Sequence, residues 1–167
     1  MSEATGSKPV TSIKTPMRLE YQYSAGRATS RFLRGIGQGR ILGQRCPSCG
    51  KVYVPPRGSC PRCAVPTDEE VELSDRGTVT TFAIVRVPSE NIDVPLPFAS
   101  VHVLLDGADV PFFSVVQGCP LEEVRIGMRV RAHWVPPEAL RPTLESIRWF
   151  EPTGEPDVPF EKLQEHL

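Results

Sequence analysis

No apolar run in this chain is long enough to span a bilayer, and Met1 to Lys14 contain no hydrophobic core of an export signal. Both absences point to a cytoplasmic protein. Histidine is scarce, three in 167 residues. His102 and His133 have no acid, cysteine or metal partner at motif spacing, so no catalytic geometry is specified, and structural or interface roles are the better reading. Gly35-Ile36-Gly37-Gln38-Gly39 lacks the spacing and the following Lys-Ser or Lys-Thr of a nucleotide-binding phosphate loop, which disfavours that reading against a helical arm. Acidic residues are missing altogether between positions 27 and 63, where Arg27, Arg31, Arg34, Arg40, Arg45, Lys51, Arg57 and Arg62 stand. Residues 64–167 reverse the balance, with 18 acidic residues against 8 basic. A net charge of -1 therefore hides a basic first half and an acidic second half, and an anionic ligand or partner is expected at the basic end.

What is present is led by four cysteines. Cys46 and Cys49, then ten residues, then Cys60 and Cys63, form two Cys-x2-Cys pairs. Each pair can bring two thiolates onto one ion through a tight turn, and two facing turns complete a tetrahedral four-sulfur site. An even set could also form disulfides, but the x2 spacing and the missing export signal favour metal. Zinc is the expected occupant, in a structural role, because four thiolates close the shell that a catalytic zinc keeps open. Pro47, Gly50 and Pro61 supply the turns, whereas Ala64 stands where a second glycine would be expected. Cys119 is separate, beside Gly118 and Pro120, and reads as a small buried residue.

Along the chain, residues 1–15, rich in Ser, Thr, Pro and Gly, read as a mobile leader, and 16–40 as a helical arm. Residues 41–68 read as a small metal-held ribbon whose folding free energy comes largely from zinc. From 69 to 152 the pattern is β-rich. Thr78–Val87, Phe98–Leu105, Val110–Val116, Val130–Trp134 and Leu144–Phe150 alternate as strands, with Asp106-Gly107 marking a hairpin turn. Five strands with no room for crossover helices fit a compact closed barrel, with an immunoglobulin-like sandwich as the weaker alternative. Residues 153–167 form a C-terminal tail.

Arg45-Cys46-Pro47-Ser48-Cys49-Gly50-Lys51-Val52-Tyr53-Val54-Pro55-Pro56-Arg57, then Cys60-Pro61-Arg62-Cys63, Gly77-Thr78-Val79-Thr80 and Ile126-Gly127-Met128-Arg129-Val130, together resemble the DUF35 family, over about residues 27 to 150. The resemblance implies a mainly β fold: an N-terminal helical arm, a four-cysteine rubredoxin-like zinc ribbon and a five-stranded OB-fold barrel. It implies structural Zn2+ on Cys46, Cys49, Cys60 and Cys63. It also implies an accessory role, with the catalytic groups on a thiolase-like partner, a thiolase or a steroid side-chain retro-aldolase, in a heterotetramer or larger assembly that handles acyl-CoA. No residue here matches a catalytic motif of such a subunit.

On that reading Arg45, Lys51, Arg57 and Arg62 are candidates for coenzyme A phosphates or for an acidic partner, since guanidinium forks pair well with phosphate oxygens. Arg31, Phe32, Leu33, Arg34 and Ile36 are candidates for the partner interface, apolar at its centre and basic at its rim. Pro159-Phe160-Glu161-Lys162-Leu163 offers a second short contact. The alternative function is a single-stranded nucleic-acid-binding protein, stacking bases on Phe82, Phe98, Phe112, Phe113, Trp134, Trp149 or Phe150. It is disfavoured because these rings lie in the acidic part of the sequence, away from the basic segment. Asp106 and Asp109 read as hairpin-turn residues, not as a catalytic carboxylate pair.

Overall fold

The computed structural model describes residues 11–15, 19–88 and 94–166. Residues 1–10 of the expected leader lie outside the described residues, as do 16–18 of the arm. Helix α1, Gly26–Ile36, forms where Phe32 and Ile36 recur four residues apart and so share a face with Gly35. That face is buried, leaving Phe32 and Ile36 1% and 0% exposed, while Arg27, Arg31 and Arg34 fall on the opposite side. Gly35 permits the close approach to the next element, since a Cβ there would lie 2.9 Å from the Leu42 side chain.

Strand β1, Ile41–Arg45, is the centre of a three-stranded antiparallel sheet between β2, Val52–Tyr53, and β3, Glu69–Leu73. The stretch before Arg76, expected to lead into the second unit, is laid along β1 instead, with Ile41 opposite Leu73 and Arg45 opposite Glu69. Charge explains this register as well as burial does. Arg45 reaches Glu69 at 3.1 Å, Arg40 reaches Glu72 at 2.7 Å and Arg31 reaches Glu70 at 3.4 Å, so the acidic strand neutralises part of the basic segment.

The remaining strands are β4, Arg76–Val85; β5, Phe98–Leu105; β6, Phe112–Val116; β7, Arg129–Trp134; and β8, Ile147–Pro152. Their order is β4-β5-β6-β8-β7, with β4 also paired to β7, so the strand order returns on itself. The expected compact closed barrel of five strands is uneven at one seam. Four seams are antiparallel ladders of three or more residue pairs, but β6 and β8 run parallel and share a single registered pair, Val116 with Phe150. β6 has only five residues, and the segment expected to open β8 is a 3-10 turn, Leu144–Ser146, which contributes nothing to a ladder. The five strands thus close into a barrel whose β6–β8 seam is laced by a single pair, and side chains reinforce it there. Phe112 and Phe150 pack there with ring centroids 6.2 Å apart, inside a core that includes Val79, Val101, Val103, Leu105 and Val130.

Two close approaches shape this unit. Gly77 is wedged between β5 and β7, and a Cβ on it would stand 2.5 Å from the Leu104 carbonyl oxygen. Arg129, on β7, grips the β5–β6 turn with two hydrogen bonds of 2.7 Å to the Asp106 carboxylate. The same turn fastens the two sheets together. Asp109 accepts a hydrogen bond from the Val52 N–H at 2.8 Å through its carboxylate and donates its own N–H to the Val52 carbonyl at 2.9 Å, extending the edge of β2. No helix among the described residues is long and apolar enough to cross a membrane.

Candidate metal centre

β1 delivers the chain into the first knuckle and β2 carries it out. Cys46 N–H donates to the Lys51 carbonyl and Gly50 N–H to the Cys46 carbonyl, closing a turn that ends on Gly50 in the left-handed region at φ 75°. The second knuckle repeats the pattern. Cys60 N–H donates to the Val65 carbonyl and Ala64 N–H to the Cys60 carbonyl, and Ala64 takes the left-handed conformation at φ 55° despite its Cβ. The missing glycine noted in the sequence thus changes the cost of the turn and not its shape.

The four sulfur atoms lie within 4.8 Å of one another, with Cys46 and Cys60 buried and Cys49 and Cys63 half-buried. Cys49 and Cys60 Sγ are 3.8 Å apart. Zinc–sulfur bonds of about 2.3 Å at tetrahedral angles place sulfurs about 3.8 Å apart, whereas a disulfide needs about 2.05 Å. All four cysteines are free thiols, and the donor set fits one Zn2+. When bound, the ion supplies a fixed cross-link between the knuckles. The Cys49 and Cys63 N–H groups point at Cys46 and Cys60 Sγ at 3.5 and 3.4 Å, offering donors to thiolate charge.

Tyr53 was not singled out by its sequence context, yet it completes this surround. It is 4% exposed, and its hydroxyl lies 3.2 Å from Cys60 Sγ. The hydrogen bond favours the thiolate and pulls the Cys60 thiol down to about 6, against the opposing effect of burial. The same bond, together with burial, pushes the Tyr53 phenol up to about 12, so Tyr53 is the donor. In the metal-free chain the Cys60 thiolate that zinc needs is therefore favoured above about pH 6 and is lost as pH falls through that value. Replacing Tyr53 with Phe keeps the ring and deletes the donor; zinc transfer to a chromogenic chelator is expected to accelerate about tenfold or more, as for other groups that orient metal ligands. An unchanged transfer rate would show that Tyr53 only fills space.

The basic candidates divide. Arg45 is held by Glu69 and by the Gly50 carbonyl, and Lys51 Nζ lies 3.9 Å from Asp109. Arg57 and Arg62 are exposed and form no ion pair among the described residues. In the arm, Phe32 and Ile36 are spent on the chain's own core and Leu33 packs against it, so a partner would meet mainly the arginine side. The correction is physical: with a small ribbon to stabilise, the apolar face of α1 is needed at home. Of the second suggested contact, Leu163 is 3% exposed and Phe160 half exposed.

The other singled-out residues are scattered. His102 packs edge-on against Phe113, with ring centroids 5.7 Å apart. His133 stacks on Trp149 at 4.2 Å and lies 3.3 Å from Glu151. Burial, then the charge of Glu123, pushes the Cys119 thiol up, the reverse of activation. Phe98, Phe112 and Phe150 are buried, Trp134 and Trp149 half-buried, and Phe82 and Phe113 exposed.

Comparison with known proteins agrees with this architecture. Residues 34–69 match the rubredoxin-like zinc ribbon domain of ChsH2, and residues 70–135 match the C-terminal OB-fold domain of ChsH2. A DUF35 domain-containing scaffold protein of Methanocaldococcus jannaschii is 36% identical over 94 residues, 55% of this chain and 65% of that protein. One of Pyrococcus furiosus, under the same description, is 32% identical over 91 residues, 54% of this chain and 65% of that protein. The chain thus matches just under two thirds of the length of these relatives. Among solved structures, a DUF35-family protein of unknown function from Sulfolobus solfataricus is similar with TM-score 0.55 and 20% identity, over 76% of this chain and 84% of that one. The Ltp2-ChsH2(DUF35) aldolase is similar with TM-score 0.57 and 22% identity, over 78% of this chain and 98% of that one. With both halves of the ChsH2 architecture matched in order around a four-cysteine centre, the chain belongs to the DUF35/ChsH2 family of zinc-ribbon and OB-fold proteins.

Proposed function

We propose that this chain is a non-catalytic subunit of an acyl-CoA-processing complex, a scaffold that stabilises a thiolase-like partner, thiolase or retro-aldolase, and helps bind its coenzyme A substrate. The observation that carries this reading is the saturated centre. Four sulfur donors at zinc spacing leave no coordination position for a substrate, so the metal serves architecture. That centre sits in a ribbon pinned to a second sheet through Asp109 and Val52. The scaffold description of the relatives, and an aldolase that contains a DUF35 chain of the same fold, support the assignment of chemistry to another subunit.

Assembly is tested by co-expressing the chain with a thiolase-like enzyme from the same organism, and stoichiometric co-purification is the expected result. Deleting residues 1–40 is a poor probe of the arm, because it also removes Phe32 and Ile36 from the core. The sharper variant is Arg57→Ala with Arg62→Ala, at the exposed ribbon arginines that no carboxylate among the described residues neutralises. Calorimetry on the intact complex is expected to show weaker acyl-CoA binding with assembly retained. Unchanged affinity would remove the ribbon from the ligand site.

A further inference from the structure

Charge pairing sorts the cations of the basic segment into two groups. Arg31, Arg40, Arg45 and Lys51 each lie within 4 Å of a carboxylate of this chain. Arg27, Arg34, Arg57 and Arg62 have no such partner among the described residues. Two of those four sit on α1. Arg27, Ser30, Arg31 and Arg34 recur at helical spacing on the side turned away from the core, and with Ser24 and Gly26 they line a groove of about 410 Å³ with no carboxylate among its described lining residues. The loop that bears Arg57 lies against the same helix, since a Cβ on Gly58 would be 3.6 Å from the Ala28 Cβ.

We propose that this α1 groove is a site for a diphosphate or phosphomonoester group, and that on the reading above it receives the phosphates of coenzyme A. Arg27 and Arg34 are the binding pair, Arg31 is shared with Glu70, and the loop that carries Arg57 packs on the same helix through Gly58. Planar guanidinium groups on one face match phosphate oxygens in pairs, and the size of the groove suits a diphosphate. Another cavity, of about 730 Å³ beside Trp149, also holds arginines but suits an anion less well. There Arg141 donates to the carbonyls of Glu138 and Leu140, Arg148 lies over the Trp149 ring, and Glu145 shares the lining. The inference assigns the α1 arginines to a ligand where the sequence placed them at a partner's rim.

The test follows the arginine Nε–H signals of the zinc-loaded full chain by 15N NMR during titration with inorganic pyrophosphate, coenzyme A and pantetheine. Pyrophosphate and coenzyme A are expected to shift the Arg27 and Arg34 signals, and pantetheine is expected to leave them in place. Arg27→Gln with Arg34→Gln should weaken pyrophosphate binding about tenfold or more, and Arg131→Gln, at an arginine paired with Glu151 on the five-stranded unit, should not. Unmoved Arg27 and Arg34 signals with both phosphate probes would overturn the groove, even if coenzyme A binds elsewhere on the chain. Binding of pyrophosphate in the groove, with no coenzyme A bound by the chain or by its complex, would keep the site and remove the acyl-CoA reading instead.

Discussion

Replacing Cys60 with Ser is expected to empty the metal centre and unfold the ribbon while leaving the five-stranded unit in place. Cys60 is the most connected of the four ligands. It is 1% exposed, lies 3.8 Å from Cys49 Sγ, faces the Cys63 N–H and is within 3.2 Å of the Tyr53 hydroxyl. The buried cluster around it consists only of Cys46, Tyr53 and Cys60, with Cys49, Cys63, Val65 and Val110 packed alongside. Such a core is too small to hold two knuckles together, whereas structural zinc contributes about 10–16 kcal/mol in comparable small metal domains near neutral pH. Bound zinc per chain should fall from one to near zero, and amide signals of β1 and β2 should collapse while those of β4 to β8 persist. Full zinc content in the variant would mean that three sulfurs suffice and that the ribbon does not depend on its fourth ligand.

Replacing Phe150 with Ala should act on the other half of the molecule. Phe150 is fully buried, packs on Phe112, accepts a hydrogen bond from Gln117 N–H through its carbonyl, and forms the one registered pair between β6 and β8. Where a ladder is missing, the side chain carries the seam, and removing it leaves a cavity that no neighbouring ladder can close. Truncation of a buried Phe costs about 3–5 kcal/mol, a large share of a total stability of about 5–15 kcal/mol. A fall in melting temperature of about 10 °C or more is expected, with zinc retained by the ribbon. A variant within about 1 kcal/mol of the parent in denaturant unfolding would show that the seam is held by something other than this ring.

The parts of this structure that were legible in the sequence are those encoded locally. Cysteine spacing specifies two tight turns because x2 brings two thiolates to one ion, and the alternation in β5 and β7 reports which side of each strand faces the core, whereas a bulge between Val79 and Thr81 breaks it in β4. Asp106-Gly107 identified the hairpin turn, with Gly107 at φ 92°. What was not legible depends on partners far apart in the chain. Asp109 looked like a turn residue, but its role comes from Val52, 57 positions away. Glu69, Glu70 and Glu72 looked like the start of the second unit, but the arginines of α1 and β1 draw them into the ribbon sheet. Phe32 and Ile36 carry the same apolar pattern whether they meet a partner or their own core, and only tertiary packing separates the two. The nearly unlaced β6–β8 seam is likewise invisible to alternation, which records the face of a strand and not the identity of its neighbour.

These nonlocal pairings also explain how opposite charges share one chain. The acidic β3 quenches the middle of the basic segment, and the cations left over point outward from α1 and from the ribbon loops. A zinc-fixed ribbon presenting uncompensated arginines suits the recognition of an anionic ligand.

The central claim, that reaction chemistry belongs to a partner, is tested most directly by comparing acyl-CoA turnover in two preparations, with thiolytic and retro-aldol substrates. One is the zinc-loaded chain alone, and the other is the same chain co-purified with the proposed thiolase-like subunit. The account predicts no turnover by the chain alone and robust turnover by the complex. Steady turnover by the isolated, zinc-replete chain would contradict it.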